Sequence, residues 1–106
     1  MPVAFVQEFD VGEDRSTANY DALNAQLRER GSTNPAGLIV HTAGFTPDNV
    51  FRVFGVWESA DDLQRFLDEH LMPTLGSLVE SLGDRDSASP PDRQFTYELH
   101  DLWRSA

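Results

Sequence analysis

Between Val50 and Trp57 the chain reads VFRVFGVW, and after Ser59 its apolar period changes from that of a strand to that of a helix. As a strand, this stretch places Phe51, Val53 and Trp57 on one side and Val50, Phe54 and Val56 on the other. Both faces are apolar, so the strand belongs inside a sheet that is covered on both sides rather than at a wet surface. Ser59 then caps a helix, with Asp62 three residues later approaching a capping box and Asp61 placing negative charge at the positive helix end. Leu63, Phe66, Leu67, His70 and Leu71 form one inward stripe, while Asp61, Gln64, Arg65, Asp68 and Glu69 lie off it. Pro73 has no N–H and crowds the preceding turn, which predicts a kink or a restart. Leu75, Leu78, Val79 and Leu82 carry the helical rhythm on to Gly83.

The rest of the chain supplies partners for this unit. Val3 to Asp10 alternates as a first strand, and Ser16 or Thr17 can cap a helix with apolar spacing Tyr20, Leu23 and Leu27, ending near Arg30 with Gly31 as its stop. Gly37 to Phe45 reads as a second strand, joined to the third by the turn Thr46, Pro47, Asp48 and Asn49. Residues 83–93 are polar and rich in Gly, Pro and Ser, which predicts a flexible loop, and Gln94 to Trp103 reads as a fourth strand. The order β-α-β-β-α-β predicts an α+β, ferredoxin-like fold: one domain over residues 1–106, with a four-stranded antiparallel sheet and both helices on one face. Those helices leave the other apolar face bare, and a second copy of the chain is its simplest cover. A two-fold homodimer, sheet against sheet, is therefore expected.

Composition removes several function classes. With no cysteine there are no disulfides, thiolate nucleophiles or thiolate metal sites. The formal net charge is −10, every basic residue is an arginine, and the arginines are scattered, so no nucleic-acid partner is expected. No apolar run approaches the roughly 20 residues that span a bilayer. MPVAFVQEFD has no basic region ahead of its apolar residues and reads directly as a strand, so a cytoplasmic location is expected. Phosphate-binding glycine loops, dinucleotide fingerprints and zinc-protease motifs are missing, and no cofactor or metal is expected.

On this frame, FGVWES followed by the acidic-capped ADDLQRFLDEHLMPTL resembles the dimeric α/β-barrel superfamily, and within it small domains of the antibiotic biosynthesis monooxygenase type. The resemblance spans Val3 to Trp103 and is most specific at the end of the third strand and the second helix. It implies a ligand cavity between helices and sheet. It also implies either cofactor-free oxygenation or proton transfer on an aromatic molecule, or a non-catalytic ligand-binding or structural dimer. Haem-degrading members use a tryptophan and a histidine on the second helix and an asparagine in the first strand. Aligned on Trp57 and Ser59, those positions hold Phe66, Gly76, and Gln7 or Glu8, so the haem-degrading set is missing.

Within that cavity His70 is the candidate base, since an imidazole titrates near neutrality and the stripe turns it toward the sheet. The alternative is a half-buried histidine bonded locally near the proline. Arg52, a charge inside an apolar strand, is the candidate for stabilising negative charge on a ligand, or else a partner for Glu8 or Glu98. Trp57, Phe66, Tyr97 and His41 are the candidate substrate-binding residues, with ordinary packing as the alternative. His41 and His100 are both placed mid-strand, where Glu98 shares the face of His100.

Overall fold

The computed structural model describes residues 1–13, 17–82 and 90–104. Four strands, β1 (Val3–Asp10), β2 (Leu38–Phe45), β3 (Val50–Trp57) and β4 (Arg93–Glu98), form one antiparallel sheet in the order β2-β3-β1-β4. The expected ferredoxin-like arrangement is thus present, with β1 and β3 in the middle. Their register sets Val3 opposite Trp57, Phe5 opposite Gly55, Gln7 opposite Val53 and Phe9 opposite Phe51. Because side chains alternate across a sheet, these pairs share the face that looks toward the helices, and Ala4, Val6, Glu8 and Asp10 look the other way.

β2 departs from simple alternation. Leu38 pairs with Trp57 and Val40 with Val56, so the ladder skips Ile39 in a β-bulge. One extra residue shifts the side-chain phase by one, which turns Leu38 and His41 to the same, helix-facing side. Gly37, just ahead of β2, has φ of 90°, and its carbonyl accepts the Glu58 N–H at 2.7 Å. A β-carbon there would lie 2.4 Å from Cβ of Asp62, so the backbone of this strand start packs directly on the second helix.

Helix α1 (Ala18–Glu29) begins after Thr17, whose hydroxyl donates to the Asp21 carboxylate at 2.8 Å instead of accepting a backbone N–H. Ser16 lies outside the described residues. At its other end Gly31 takes φ of 69°, and the Gly31 and Ser32 N–H groups donate to the carbonyls of Arg28 and Leu27. This is a glycine-terminated helix cap of the expected kind. It seats Ser32, which is buried, at a fixed point beneath the helices.

The second helical segment starts as expected. Ser59 is extended, its Oγ accepts the Asp62 N–H at 3.1 Å, and its hydroxyl donates to Asp62 Oδ2 at 2.9 Å. α2 (Ala60–Phe66) then passes into a π-helical turn (Leu67–Leu71) and on to α3 (Met72–Leu82). No break occurs at Pro73; the chain absorbs the proline by widening the turn before it, where the Met72 N–H reaches back to the Leu67 carbonyl. In a regular α-helix the proline ring would strike the carbonyl of Glu69, four residues earlier. Within this turn the His70 carbonyl accepts the Thr74 hydroxyl at 2.6 Å, a side-chain bond reaching back one turn.

Leu27 of α1, Leu63 of α2 and Leu78 of α3 are buried, with Leu78 only 2% exposed. Val3, Phe5, Trp57 and Leu63 pack as one cluster, flanked by Leu38, Phe66 and Leu67. Each such side chain contributes about 1.5–3 kcal/mol on full burial. The expected loop at 83–93 lies mostly outside the described residues; Pro90 to Asp92 lead into β4 one residue earlier than expected. β4 also ends at Glu98, well before Trp103. His100 is therefore not in a strand, and its expected face-sharing with Glu98 does not arise.

Candidate functional site

Between the helices and the sheet lies a cleft with two connected parts. The inner chamber, about 140 Å³, is lined mainly by apolar side chains, among them Phe5, Leu27, Leu38, Trp57, Leu63 and Phe66. The outer part, about 700 Å³, runs between the start of α1, the π turn, α3 and Pro90–Pro91. Phe5, Gln7, Tyr20, Leu23, Val53, Leu67 and Leu71 line both, so the two volumes meet along these residues. A concave apolar site with few polar groups is the usual form of a small-molecule pocket.

Two polar pairs border the chamber. Tyr20 Oη and His41 Nε2 lie 2.9 Å apart, and Tyr20 also packs edge-on against Phe51 at 5.1 Å. His41 keeps a solvent-exposed edge, but the protein atoms around its ring lower its pKa below the ordinary histidine value by desolvation, favouring the neutral imidazole. A neutral ring carries one unprotonated nitrogen, the atom that can take up a proton. In the second pair Ser32 Oγ lies 2.9 Å from His70 Nδ1. The His70 ring stacks on Phe66 at 5.7 Å, and Phe66 in turn leans on Trp57 at 5.2 Å. Ser32 lines the chamber; His70 stands behind it.

The residues picked out from sequence therefore divide. Trp57, Phe66 and His41 line the inner chamber together. His70 is half-buried and borders the chamber through Ser32, not by its own ring. Arg52 and Tyr97 do not belong to the cleft. Arg52 pairs with Glu8, and Tyr97 with Ala4, on the outward phase of the sheet, which puts both on the face away from the helices. Two residues in register on the outward face cannot share a pocket with side chains of the inward face, because the sheet itself separates them.

On that outer face Arg52 donates to Glu8 Oε2 through Nε at 2.7 Å, and Arg93 donates to Glu8 Oε1 at 2.8 Å. Arg93 also bridges to Asp10. The Arg93 bond first, and that of Arg52 second, hold the Glu8 carboxyl below its usual pKa, and Arg93 does the same for Asp10. Around this cluster Phe95 and Tyr97 are stacked at 6.2 Å and nearly half exposed.

Gln7, Tyr20, Asn24, Ser32 and Thr33 supply further polar groups to the chamber wall that sequence reasoning did not assign to a site. Gln7 falls in phase with Val3, Phe5 and Phe9, and Asn24 lies one helical turn from Tyr20, so the inward phase was the available signal for both. Ser32 carries no such signal, since it follows the helix in a loop. No group of three or more His, Asp or Glu side chains converges as a metal site among the described residues. Among them, too, no helix is long and apolar enough to cross a membrane.

No family model matches the sequence. No curated protein matches it either. Solved structures do match the fold. SnoaB from Streptomyces nogalater, described as a cofactor-independent oxygenase, superposes with a TM-score of 0.62 at 18% identity, covering 98% of each chain. A Chloroflexus aurantiacus protein provisionally called an antibiotic biosynthesis monooxygenase gives 0.60 at 14% identity, again over 98% of each chain. A Nitrosomonas europaea protein of unknown function gives 0.64 at 16% identity, over 99% of this chain and 95% of its own. The chain thus has the fold of antibiotic biosynthesis monooxygenase-like proteins, the fold its sequence resembles.

Proposed function

We propose that the chain, folded as one domain and paired with a second copy, binds a small aromatic molecule in the cleft and promotes its reaction with dioxygen without a bound cofactor. The observation that carries this reading is the apolar chamber bordered by Tyr20–His41 and Ser32–His70. Its fold is shared with an oxygenase described as cofactor-independent. The chemistry needs only a base and a dry site. A methylene between aromatic rings gives a proton to the neutral His41, and the resonance-stabilised carbanion passes electrons to dioxygen. One oxygen atom remains on that carbon as a carbonyl, and the other leaves as water with the two methylene hydrogens. Trp57 and Phe66 form the aromatic wall, and His70 acts on the chamber through Ser32.

Support for pairing comes from the outer sheet face, where Val40 of β2 and Phe95 and Tyr97 of β4 are 41%, 47% and 46% exposed. Apolar side chains left exposed on a sheet face are what a second copy would cover. In sedimentation at micromolar concentration the chain is expected to run as a dimer, and Phe95→Asp as a monomer.

Binding is tested with a hydroxylated three-ring anthrone, whose central methylene is a carbon acid. Trp57 and Trp103 are the two tryptophans, and Trp103 is 88% exposed, so Trp103→Phe leaves Trp57 as the reporter. Saturable quenching and uptake of one dioxygen per anthrone are expected, with uptake lost in His41→Phe while quenching remains. No quenching would refute the site. Quenching without uptake would make this a ligand-binding protein.

A further inference from the structure

The two parts of the cleft differ in size in a way that constrains what enters. A protein cavity of about 150 Å³ walled by aliphatic and aromatic side chains holds one benzene. The inner chamber, about 140 Å³, is of that size, and the outer part, about 700 Å³, has room for a fused-ring body. Tyr20 and Gln7 stand where the two meet. The cleft therefore has room for one ring of a polycyclic molecule in the chamber and for the rest of its skeleton in the outer part.

Ser32 lines the chamber but not the outer part, is 5% exposed, and is held by its backbone N–H on the Leu27 carbonyl at 2.8 Å. A hydroxyl has one hydrogen to donate and two lone pairs. Its bond to His70 Nδ1 uses one of these, which leaves hydrogen-bonding capacity at a wall that is otherwise largely apolar. His70 itself is held by its stack on Phe66 and by the π turn, whose carbonyl at His70 is satisfied by Thr74. Ser32 is thus fixed by its backbone bond, and His70 by the π turn and by the chamber-wall residue Phe66, which is how a recognition group is pre-organised.

Building on the aromatic-ligand reading above, we infer that the chamber selects a terminal monohydroxylated ring, and that Ser32, oriented by His70, is the specificity-determining contact for its phenolic oxygen. The ligand class is a multi-ring phenol entering ring-first, with the hydroxyl-bearing ring innermost.

Phenol and benzene are the probes, titrated into the Trp103→Phe protein with Trp57 fluorescence as readout. Phenol is expected to bind about fivefold or more tightly relative to benzene, the worth of one buried hydrogen bond. Ser32→Ala should bring that ratio close to one while leaving benzene affinity unchanged. His70→Phe, which keeps a ring against Phe66, should lower the ratio as well. By NMR, the ring nitrogen signal lost in His70→Phe should move on adding phenol and stay in place with benzene. A phenol-to-benzene ratio unaffected by Ser32→Ala, in protein that still binds the three-ring anthrone, would overturn this inference and leave the broader reading intact. Failure of all three compounds to quench Trp57 would overturn both.

Discussion

Gly37→Ala is expected to be the most damaging single-methyl change in the molecule. At φ of 90° an alanine sits in a region that L-residues rarely occupy, which costs about 1–3 kcal/mol. The new methyl would also lie 2.4 Å from Cβ, 2.4 Å from Cγ and 2.5 Å from Oδ2 of Asp62. Carbon atoms rest at about 3.5–4.0 Å, so the start of β2 and the first turn of α2 must separate by more than about 1 Å. Overpacking of this kind costs about 1–3 kcal/mol. The sum is roughly 2–6 kcal/mol, against a total stability of about 5–15 kcal/mol for a typical domain. Urea unfolding followed by circular dichroism gives the free energy, and thermal unfolding should show a midpoint lowered by about 8 °C or more. Trimming Asp62 to alanine offers no rescue, because the nearest atom is its β-carbon, which alanine retains. Gly44→Ala is the control: it lies within β2, which Gly37 precedes, without a positive φ and with nothing within 4 Å of its added β-carbon. If Gly37→Ala stays within about 1 kcal/mol of the parent, or is no worse than Gly44→Ala, the packing of β2 on α2 is not as described.

The remaining predictions concern the helix and the outer sheet face. Thr74→Val keeps the shape of a fully buried side chain but removes the hydroxyl that donates to the His70 carbonyl, and should cost about 0.5–1.5 kcal/mol in urea unfolding, with Thr74→Ser retaining most of the bond. Leu78→Ala should cost about 2–5 kcal/mol, since the side chain is 2% exposed and its removal leaves a cavity between the helices. The Glu8 carboxyl, held below its usual 4.5 by Arg93 and Arg52, contributes stability that is fully present above that value and is lost as pH falls through the lowered folded value. Unfolding measured from pH 7 downward should therefore show an acid loss beginning below about pH 4.5. That loss should be smaller in Glu8→Gln, and parallel curves for the two proteins would rule out Glu8 as a source of acid lability.

How far the site could be read in advance is clearest at His70 and Arg52. The helix stripe places His70 beside Phe66, and of the two only Phe66 lines the chamber. What periodicity could not supply was Ser32, thirty-eight residues away in the chain, which stands between the imidazole and the cavity. Arg52 was rightly read as a charge that needs a partner, with Glu8 among the candidates, but its assignment to the pocket required knowing which face the helices cover. Tyr97 failed for the same reason. Strand alternation says which residues share a face, yet not which of two apolar faces is the inner one.

Local chemistry is enough for the elements themselves. Alternation gives β1 and β3 their full extent, Ser59 and Gly31 mark helix ends through caps made within a few residues, and the β-α-β-β-α-β order leaves few ways to pair the strands. Pro73 shows where local reasoning stops, since its ring conflict with Glu69 can end a helix or widen it, and the choice is made where α3 packs against α1. The bulge at Ile39 is likewise decided by pairing with β3: without it His41 would face away from Leu38, and the Tyr20–His41 contact would not form. Period and capping act over a few residues and are written in the chain, whereas the inner face, the bulge phase and the Ser32–His70 pair depend on contacts between distant segments and exist only once the sheet and helices have closed on one another.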